Sequence, residues 1–173
     1  MKLYSERYKK GISCLSKVTS RGALFIMANL PYNFESPIFS AIDDQDNLVV
    51  TGGDGEQLTV IPRIPDIMPP RFRFEGVGPP HDHVYHISLS LLGGEQINTL
   101  VAEDRVIAAR NGAALPFGVA RYHEDQRAFI IQEGLFRPPR AWTVEEDRVF
   151  IKVHPGIIFP RNQLFRIIGP VDE

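Results

Sequence analysis

The sequence predicts an all-β fold: a single-domain β-sandwich, jelly roll or barrel with an N-terminal arm or short helix. About ten short segments alternate apolar and polar residues, a period typical of half-buried strands. Turn signals rich in glycine, proline, asparagine and aspartate separate these segments, as they do in sandwiches and barrels. The chain of 173 residues is long enough for one domain with a single sizeable core.

The N-terminal segment, residues 1–21, leaves two alternatives open, while residues 22–173 form the predicted β domain. Apolar residues of the segment roughly follow a helical spacing, and charged residues fall on the other side. Gly11 weakens a helix by about 1 kcal/mol, so an amphipathic arm that packs on a partner is an equal alternative. The apolar residues concerned are Leu3, Tyr4, Tyr8, Ile12 and Leu15.

In the first half of the β domain, glycines and prolines mark the connections. Gly52-Gly-Asp-Gly55 lies between two apolar segments and predicts a hairpin turn, because glycine adopts positive φ without strain. Four prolines between residues 62 and 70 predict a stiff extended connector, since proline lacks a backbone N–H. The segment Arg71–Glu75 then predicts a strand with Phe72 and Phe74 facing inward.

In the second half, further short strands follow, with one exception. Thr143 and Glu146 stand in capping-box positions, so the segment from Thr143 to Asp147 predicts a helical turn. Asn111-Gly112 is the dipeptide that a type I′ turn favours. We see no internal repeat in the sequence.

Composition and charge exclude several classes of protein. A net charge of -2 gives no electrostatic case for nucleic acid or an anionic membrane. No apolar run reaches the roughly 18 residues of a membrane-spanning helix, and no signal-peptide pattern is visible. Cys14 is the single cysteine, which excludes an internal disulfide. These observations predict a cytoplasmic or particle-associated protein that forms a homo-oligomer or binds protein partners.

The stretch from residue 79 to 91 holds three of the five histidines and is the best candidate for chemistry. Alternation places His81 and His83 on the inward, apolar face of a strand and His86 on the opposite face. Two imidazoles on one face suit zinc, iron, nickel or copper, provided that other elements supply further ligands. The candidates for these are His123, His154, Glu124 and the other acidic residues.

The order of His81-x-His83, a hairpin, a Pro-x-Gly118 run and a later histidine resembles the two-part motif of cupins. Cupins are double-stranded β-helix jelly rolls that often hold one divalent metal. The resemblance implies that His81, His83 and His123 bind one divalent transition metal in an enzyme or sensor for a small polar molecule. Two positions depart from the motif: its glutamate is replaced by Ile87, and His123 lies five residues after Gly118 instead of three.

No complete catalytic motif is visible, which favours a non-enzymatic β-rich assembly or interaction module without a cofactor, such as a structural component of a larger particle. The metal-dependent cupin-like enzyme or sensor is the alternative function. Aromatic and arginine side chains are enriched at binding hot spots. They predict an interface made of Phe136, Arg137, Arg140 and Trp142. For Phe136 and Trp142, simple core packing is an equal alternative.

Overall fold

The computed structural model of this protein describes residues 30–43, 45–91, 94–133, 139–154 and 158–168. In these ranges the chain forms β-strands and two short 3-10 turns, Pro80–Asp82 and Arg161–Gln163, so the predicted all-β class is confirmed. The strands are β1 (Asn33–Ser36), β2 (Ile38–Ser40), β3 (Asn47–Val50), β4 (Thr59–Ile61), β5 (Phe72–Gly76), β6 (Val84–Ser90), β7 (Gln96–Ala102), β8 (Arg105–Ala109), β9 (Pro116–Arg121), β10 (Phe129–Glu133), β11 (Arg140–Glu145), β12 (Arg148–Val153) and β13 (Phe165–Ile167).

Six strand positions close into a barrel. β1 and β2 act as one interrupted strand, because Pro37 between them has no backbone N–H to donate. β1 pairs with β5, and β2 pairs with β13. Antiparallel pairs join β5 to β6, β6 to β9, β9 to β10 and β10 to β13, which completes the ring. Of the three predicted architectures the barrel is therefore the one formed, and the jelly roll is wrong.

Three hairpins, β3–β4, β7–β8 and β11–β12, extend from the barrel and meet one another. Each hairpin lies between two barrel strands in the chain. The fold therefore consists of three repeats, which are β1–β5, β6–β9 and β10–β13. The contacts between hairpins pair Thr59 with Arg148, Arg105 with Phe150, and Gln57 with Ile107.

Large aromatic side chains fill the barrel. Trp142 is fully buried and contacts Phe117 edge to face, with ring centroids 5.4 Å apart. On another side it contacts Phe165 at 5.9 Å. Burying one side chain of this size contributes about 2–3 kcal/mol to stability, and the contact with Phe117 joins the third repeat to the second.

The strand periodicity that the sequence predicts is confirmed in β5 and β6. Phe72 and Phe74 of β5 are 0% exposed. In β6 the buried alternate residues Tyr85, Ile87 and Leu89 face the same core cluster. Alternation places side chains correctly here because both strands bury one face against the barrel interior.

The predicted helical turn at residues 143–147 is wrong. Thr143 lies in β11 and is buried, and its hydroxyl donates to the Ala141 carbonyl at 3.0 Å. The same hydroxyl accepts a hydrogen bond from Gln163 Nε2 at 2.9 Å, so the Thr143 side chain serves the sheet instead of capping a helix. The chain turns directly afterwards, at residues 146 and 147, which have φ values of 47° and 60°.

The second and third hairpins have the same four-residue sequence at their turns. Glu103-Asp-Arg-Val106 turns from β7 into β8, and Glu146-Asp-Arg-Val149 turns from β11 into β12. The first residue of each turn has positive φ, 57° at Glu103 and 47° at Glu146. Our expectation of no repeat was therefore wrong. The glycine turn at residues 52–55 replaces this motif in the first hairpin, which masks the repeat in the sequence.

The predicted N-terminal arm or helix, residues 1–21, lies outside the described residues, so the division of the chain at residue 22 stays a prediction. Within the described ranges, none of the helical segments has the length and apolar character required to cross a membrane.

Candidate functional site

His81 and His83 lie ahead of the strand to which the sequence assigned them. His81 belongs to the 3-10 turn Pro80–Asp82, and 67% of its side chain is exposed. His83 has a left-handed backbone conformation with φ of 49°, and β6 begins only at Val84. The alternation therefore fails before Val84, and His81 has no place on a strand face.

His83 lies at one end of the barrel, directly before the first residue of β6. Its Nδ1 lies 3.4 Å from the hydroxyl of Tyr85, which donates to the Pro31 carbonyl at 3.1 Å. Burial lowers the pKa of His83, while the charge of Asp82 raises it and that of His81 lowers it. Burial also raises the pKa of Tyr85 to about 12. Both shifts favour the neutral rings, as expected for groups that complete a fold.

His123 lies beyond the C-terminal end of β9, in the loop between β9 and β10. The Val119 N–H donates to the His83 carbonyl at 2.9 Å. His123 follows four residues after Val119, about 13 Å of chain at roughly 3.3 Å per residue. In the described part of the chain, no group of three or more His, Cys, Asp or Glu side chains is arranged to hold a metal ion. The predicted metal site at His81, His83 and His123 is therefore not supported.

His123 instead joins a group of rings that we call the ring cluster. Phe159 stacks on His154, with centroids 4.2 Å apart and ring planes 16° from parallel. Tyr122 contacts Phe159 edge to face at 6.3 Å and His123 at 5.0 Å. We include Glu124 in the ring cluster, because its carboxylate lies beside His123. The cluster thus connects the loop after β9 with the segment between β12 and β13.

A small hydrophobic core outside the barrel supports the ring cluster. Tyr122 and Phe159 are its aromatic members and are only 4% and 6% exposed. The Tyr122 N–H donates to the Ala128 carbonyl at 2.8 Å, and the Ala128 N–H donates to the Asp125 carbonyl at 2.9 Å. These two bonds close the loop between β9 and β10 and hold Tyr122 in place. The full set of buried residues is Ala41, Tyr122, Ala128, Ile130, Ala141, Phe159 and Leu164.

A hydrogen bond orients the carboxylate of the ring cluster. The Tyr122 hydroxyl donates to Glu124 Oε2 at 2.8 Å, and His123 Nε2 lies 3.7 Å from Glu124 Oε1. Burial raises the pKa of Tyr122, the hydrogen bond and charge of Glu124 raise it further, and a backbone bond from Phe159 lowers it. Tyr122 therefore keeps its proton at neutral pH and remains a donor to Glu124.

The ring cluster has a buried apolar base and a polar rim. Tyr122 and Phe159 form the base, whereas the side chains of His123 and Glu124 are 34% and 56% exposed. Because the two base rings are buried, they hold the rim in place and do not themselves face solvent. A carboxylate accepts hydrogen bonds, and an imidazole can donate or accept them. The exposed rim therefore suits a ligand with several hydroxyl or amine groups.

Sequence reasoning found part of the ring cluster. It named His123, His154 and Glu124 as further ligand candidates, and the structure places His123 beside Glu124 and joins His154 to them through rings. It missed Phe159 and the base residue Tyr122. Phe159 lies in a connection without strand periodicity, so no local pattern marks it. The one local signal is the sequence Tyr122-His-Glu124, an aromatic residue beside two polar side chains.

The predicted interface residues have different positions. Phe136 and Arg137 lie outside the described residues. Trp142 fills the barrel, so the core alternative applies to it. Arg140 is partly buried and donates through Nε to Glu133 Oε2 at 2.6 Å. An interface that includes Arg140 stays a prediction.

Comparison with protein-family models and with curated proteins gives no match. Among solved structures, the chain is similar to a ricin B-like lectin of Macrolepiota procera, whose structure is a complex with lactose. The match has a TM-score of 0.58 and 12% sequence identity, and it covers 83% of this chain and 100% of that chain. The likeness shows the fold, which is of the β-trefoil type. Three repeats, each with barrel strands and one hairpin, agree with it.

The resemblance to cupins is therefore wrong. A cupin is a double-stranded β-helix, whereas this chain builds a barrel of six strand positions with three hairpins. Ile87, at the position of the cupin glutamate, is 0% exposed in the barrel core. The His-x-His pattern spans a 3-10 turn and the residue that precedes β6.

Proposed function

We propose that this protein is a non-enzymatic binding module whose ligand is a carbohydrate held at the ring cluster. The observation that carries the proposal is the fold likeness to a ricin B-like lectin over the whole length of that chain. That lectin was solved in complex with lactose, which makes lactose the first ligand to test. Binding of this kind needs no cofactor.

The chemistry of the ring cluster supports a carbohydrate. A pyranose ring has an apolar C–H face and a rim of hydroxyl groups. Tyr122 and Phe159 are buried and support the site from below, so the surface offered to the hydroxyl groups is the rim of His123 and Glu124. Glu124 accepts hydrogen bonds from hydroxyl groups, and its charge makes these bonds stronger than neutral ones. Tyr122 holds the carboxylate in one orientation, which lowers the entropic cost of binding.

A glycan array with the labelled full chain, lactose included, tests the proposal, followed by calorimetric titration of the best ligand. Glu124→Gln removes the charge but keeps the shape of the side chain. We expect it to weaken binding about tenfold, as the loss of a charge-assisted hydrogen bond does. His123→Ala should weaken binding as well, because His123 forms the other part of the rim.

The matched control is Glu75→Gln on β5. The Glu75 side chain is also about half exposed, and its Oε1 forms an ion pair with Arg73 Nη2 at 2.7 Å. Unlike Glu124, it lies on a barrel strand. The Glu75→Gln variant should bind carbohydrate as tightly as the unaltered protein. Failure of the array to detect any glycan would contradict the proposal, as would equal weakening by Glu124→Gln and Glu75→Gln.

Assembly with itself or with a protein partner is a second candidate function, favoured by the segment between β4 and β5. This is the predicted proline-rich connector, and it exposes three apolar side chains. Ile64, Ile67 and Met68 are 51%, 58% and 81% exposed. Neighbouring exposed apolar side chains are typical of contact surfaces.

Light scattering of the full chain tests assembly. The double change Ile67→Ser and Met68→Ser should convert an oligomer into a monomer, because it removes apolar area from the contact. Ile158→Ser is the control, since Ile158 is 70% exposed in a different connection, between β12 and β13. A monomer at every concentration of the unaltered chain would contradict assembly with itself.

A further inference from the structure

An open cleft of about 350 Å³ lies where the three hairpins meet, and it is separate from the ring cluster. All three hairpins contribute to its walls, which are mostly polar. The residues that line it are Gly55, Glu56, Gln57, Thr59, Ala102, Arg105, Ile107 and Arg148.

Three of these residues occupy the same position in the three repeats. In each hairpin they begin the second strand, and they pair with the end of the first strand. Thr59 pairs with Val50, Arg105 with Ala102, and Arg148 with Glu145. The cleft therefore lies on the pseudo-threefold axis of the fold, with two arginines and one threonine around it.

The sheet register brings the two arginines together. Arg105 lies opposite Phe150, and Arg148 precedes Phe150 by two residues on the same strand and the same face. Side chains in this diagonal relation start about 7–8 Å apart. Arginine is long enough for two guanidinium groups at that spacing to reach one bound group between them.

The acidic residues nearby balance these two positive charges only in part. Arg105 Nη2 lies 3.2 Å from Glu103 Oε2, but the side chains are 50% and 82% exposed, so the pair is weak. Glu56 also lines the cleft and contributes one negative charge against the two positive ones. Among the described residues, Arg148 has no ion-pair partner. Glu145, the strand partner of Arg148, pairs with Lys152.

We propose that this axial cleft binds a small oxyanion, a phosphate, sulfate or carboxylate group, between Arg105 and Arg148. Guanidinium groups bind such anions through paired N–H donors, and two of them converging on one group bind it more strongly than one. The hydroxyl of Thr59 supplies one more donor at the third equivalent position. This proposal is independent of carbohydrate binding.

Calorimetric titration of the full chain with inorganic phosphate, sulfate or malonate, at constant ionic strength, tests the proposal. We expect one saturable site per chain, and the anion that binds most tightly identifies the class of group. Arg148→Gln and Arg105→Gln should each weaken binding about tenfold. Arg127→Gln is the control, because Arg127 is 86% exposed in the loop between β9 and β10 and its loss changes the net charge equally.

Thr59→Arg provides a test in the opposite direction, since it places a guanidinium at all three equivalent positions. It should tighten anion binding, which keeps the proposal testable where an arginine variant fails to fold. Circular dichroism checks the fold of each variant. The absence of saturable binding by all three anions would overturn the proposal, and so would equal weakening by Arg127→Gln and Arg148→Gln.

Discussion

Two histidines of this protein each lie beside a tyrosine, and the two pairs have different surroundings. His83 is next to Tyr85, whose hydroxyl donates to a backbone carbonyl. His123 is next to Tyr122, whose hydroxyl donates to the carboxylate of Glu124. Burial dominates at the first pair and lowers the pKa of its histidine. At the second pair, the carboxylate and part of the imidazole face solvent.

This comparison shows that residue type alone does not identify a site. At the first pair the tyrosine hydroxyl is used within the barrel, so the pair contributes to the fold. At the second pair the tyrosine orients a carboxylate that has further capacity to accept hydrogen bonds. The partner of the tyrosine and the exposure of the polar groups decide which pair can bind a ligand.

The largest expected effect comes from removing the base of the second pair. Phe159→Ala should destabilise the protein by about 3 kcal/mol, because it deletes a buried ring and leaves a cavity. Urea unfolding measures the loss. Phe159→Leu keeps most of the volume and should cost about 1 kcal/mol. Chemical shifts of His83 should not change in either variant, and a loss equal in both variants would contradict the role of the ring.

High pH should act on the first pair. The pKa of Tyr85 is raised from 10.0 to about 12 in the fold, so the protonated ring favours folding. This contribution is complete below pH 10 and is lost as the pH rises towards about 12, a change of roughly 2–3 kcal/mol. Unfolding free energies measured across this range should show a smaller decline in Tyr85→Phe. Equal declines in that variant and the unaltered protein would exclude Tyr85 as the cause.

A smaller effect is expected when the second pair loses its hydrogen bond. Tyr122→Phe keeps the ring but leaves Glu124 without its donor, which should cost about 1 kcal/mol at neutral pH. Carbohydrate binding should weaken too, because the carboxylate is no longer held in one orientation. Tyr32→Phe is the control, since the Tyr32 hydroxyl donates to the Gly78 carbonyl at an exposed position. Unchanged ligand affinity in Tyr122→Phe would separate the hydrogen bond from binding.

The smallest effect should appear at acidic pH. The pKa of His83 is lowered from 6.5, so the neutral ring favours folding. This contribution is complete above pH 6.5 and is lost as the pH falls from 6.5 through the lower pKa of the folded state. His83→Gln should reduce that loss, measured as thermal unfolding between pH 7 and pH 5. His86→Gln should retain it, and the opposite result would assign the loss to His86.

The sequence predicted the all-β class and the inward residues of β5 and β6, because alternation reports local burial of one strand face. It could not predict how the barrel closes. Pairs such as Ile38 with Ile167 join residues that are distant in the chain, and no spacing rule reports them. The three repeats were hidden because only two hairpins share the Glu-Asp-Arg-Val turn.

The candidate site was also predicted only in part, because local alternation does not report contacts between distant residues. The alternation of β6 does not continue backwards from Tyr85 to His83 and His81, because Pro79 and Pro80 precede them and proline is disfavoured inside a strand. The left-handed conformation of His83 ends the pattern. Conversely, Phe159 stacks on His154 from a segment without strand periodicity, so no local pattern predicts this contact.

The pairing of β2 with β13 has a kinetic consequence. Because the strand near the start of the described chain completes the barrel with the strand near its end, the barrel cannot close until β13 has been synthesised. Contacts between such distant residues slow folding, since the loop entropy is lost before the contacts form. During translation the first two repeats must therefore wait with unpaired strand edges. A chaperone that shields such edges should raise the yield of folded protein more than one that acts after release.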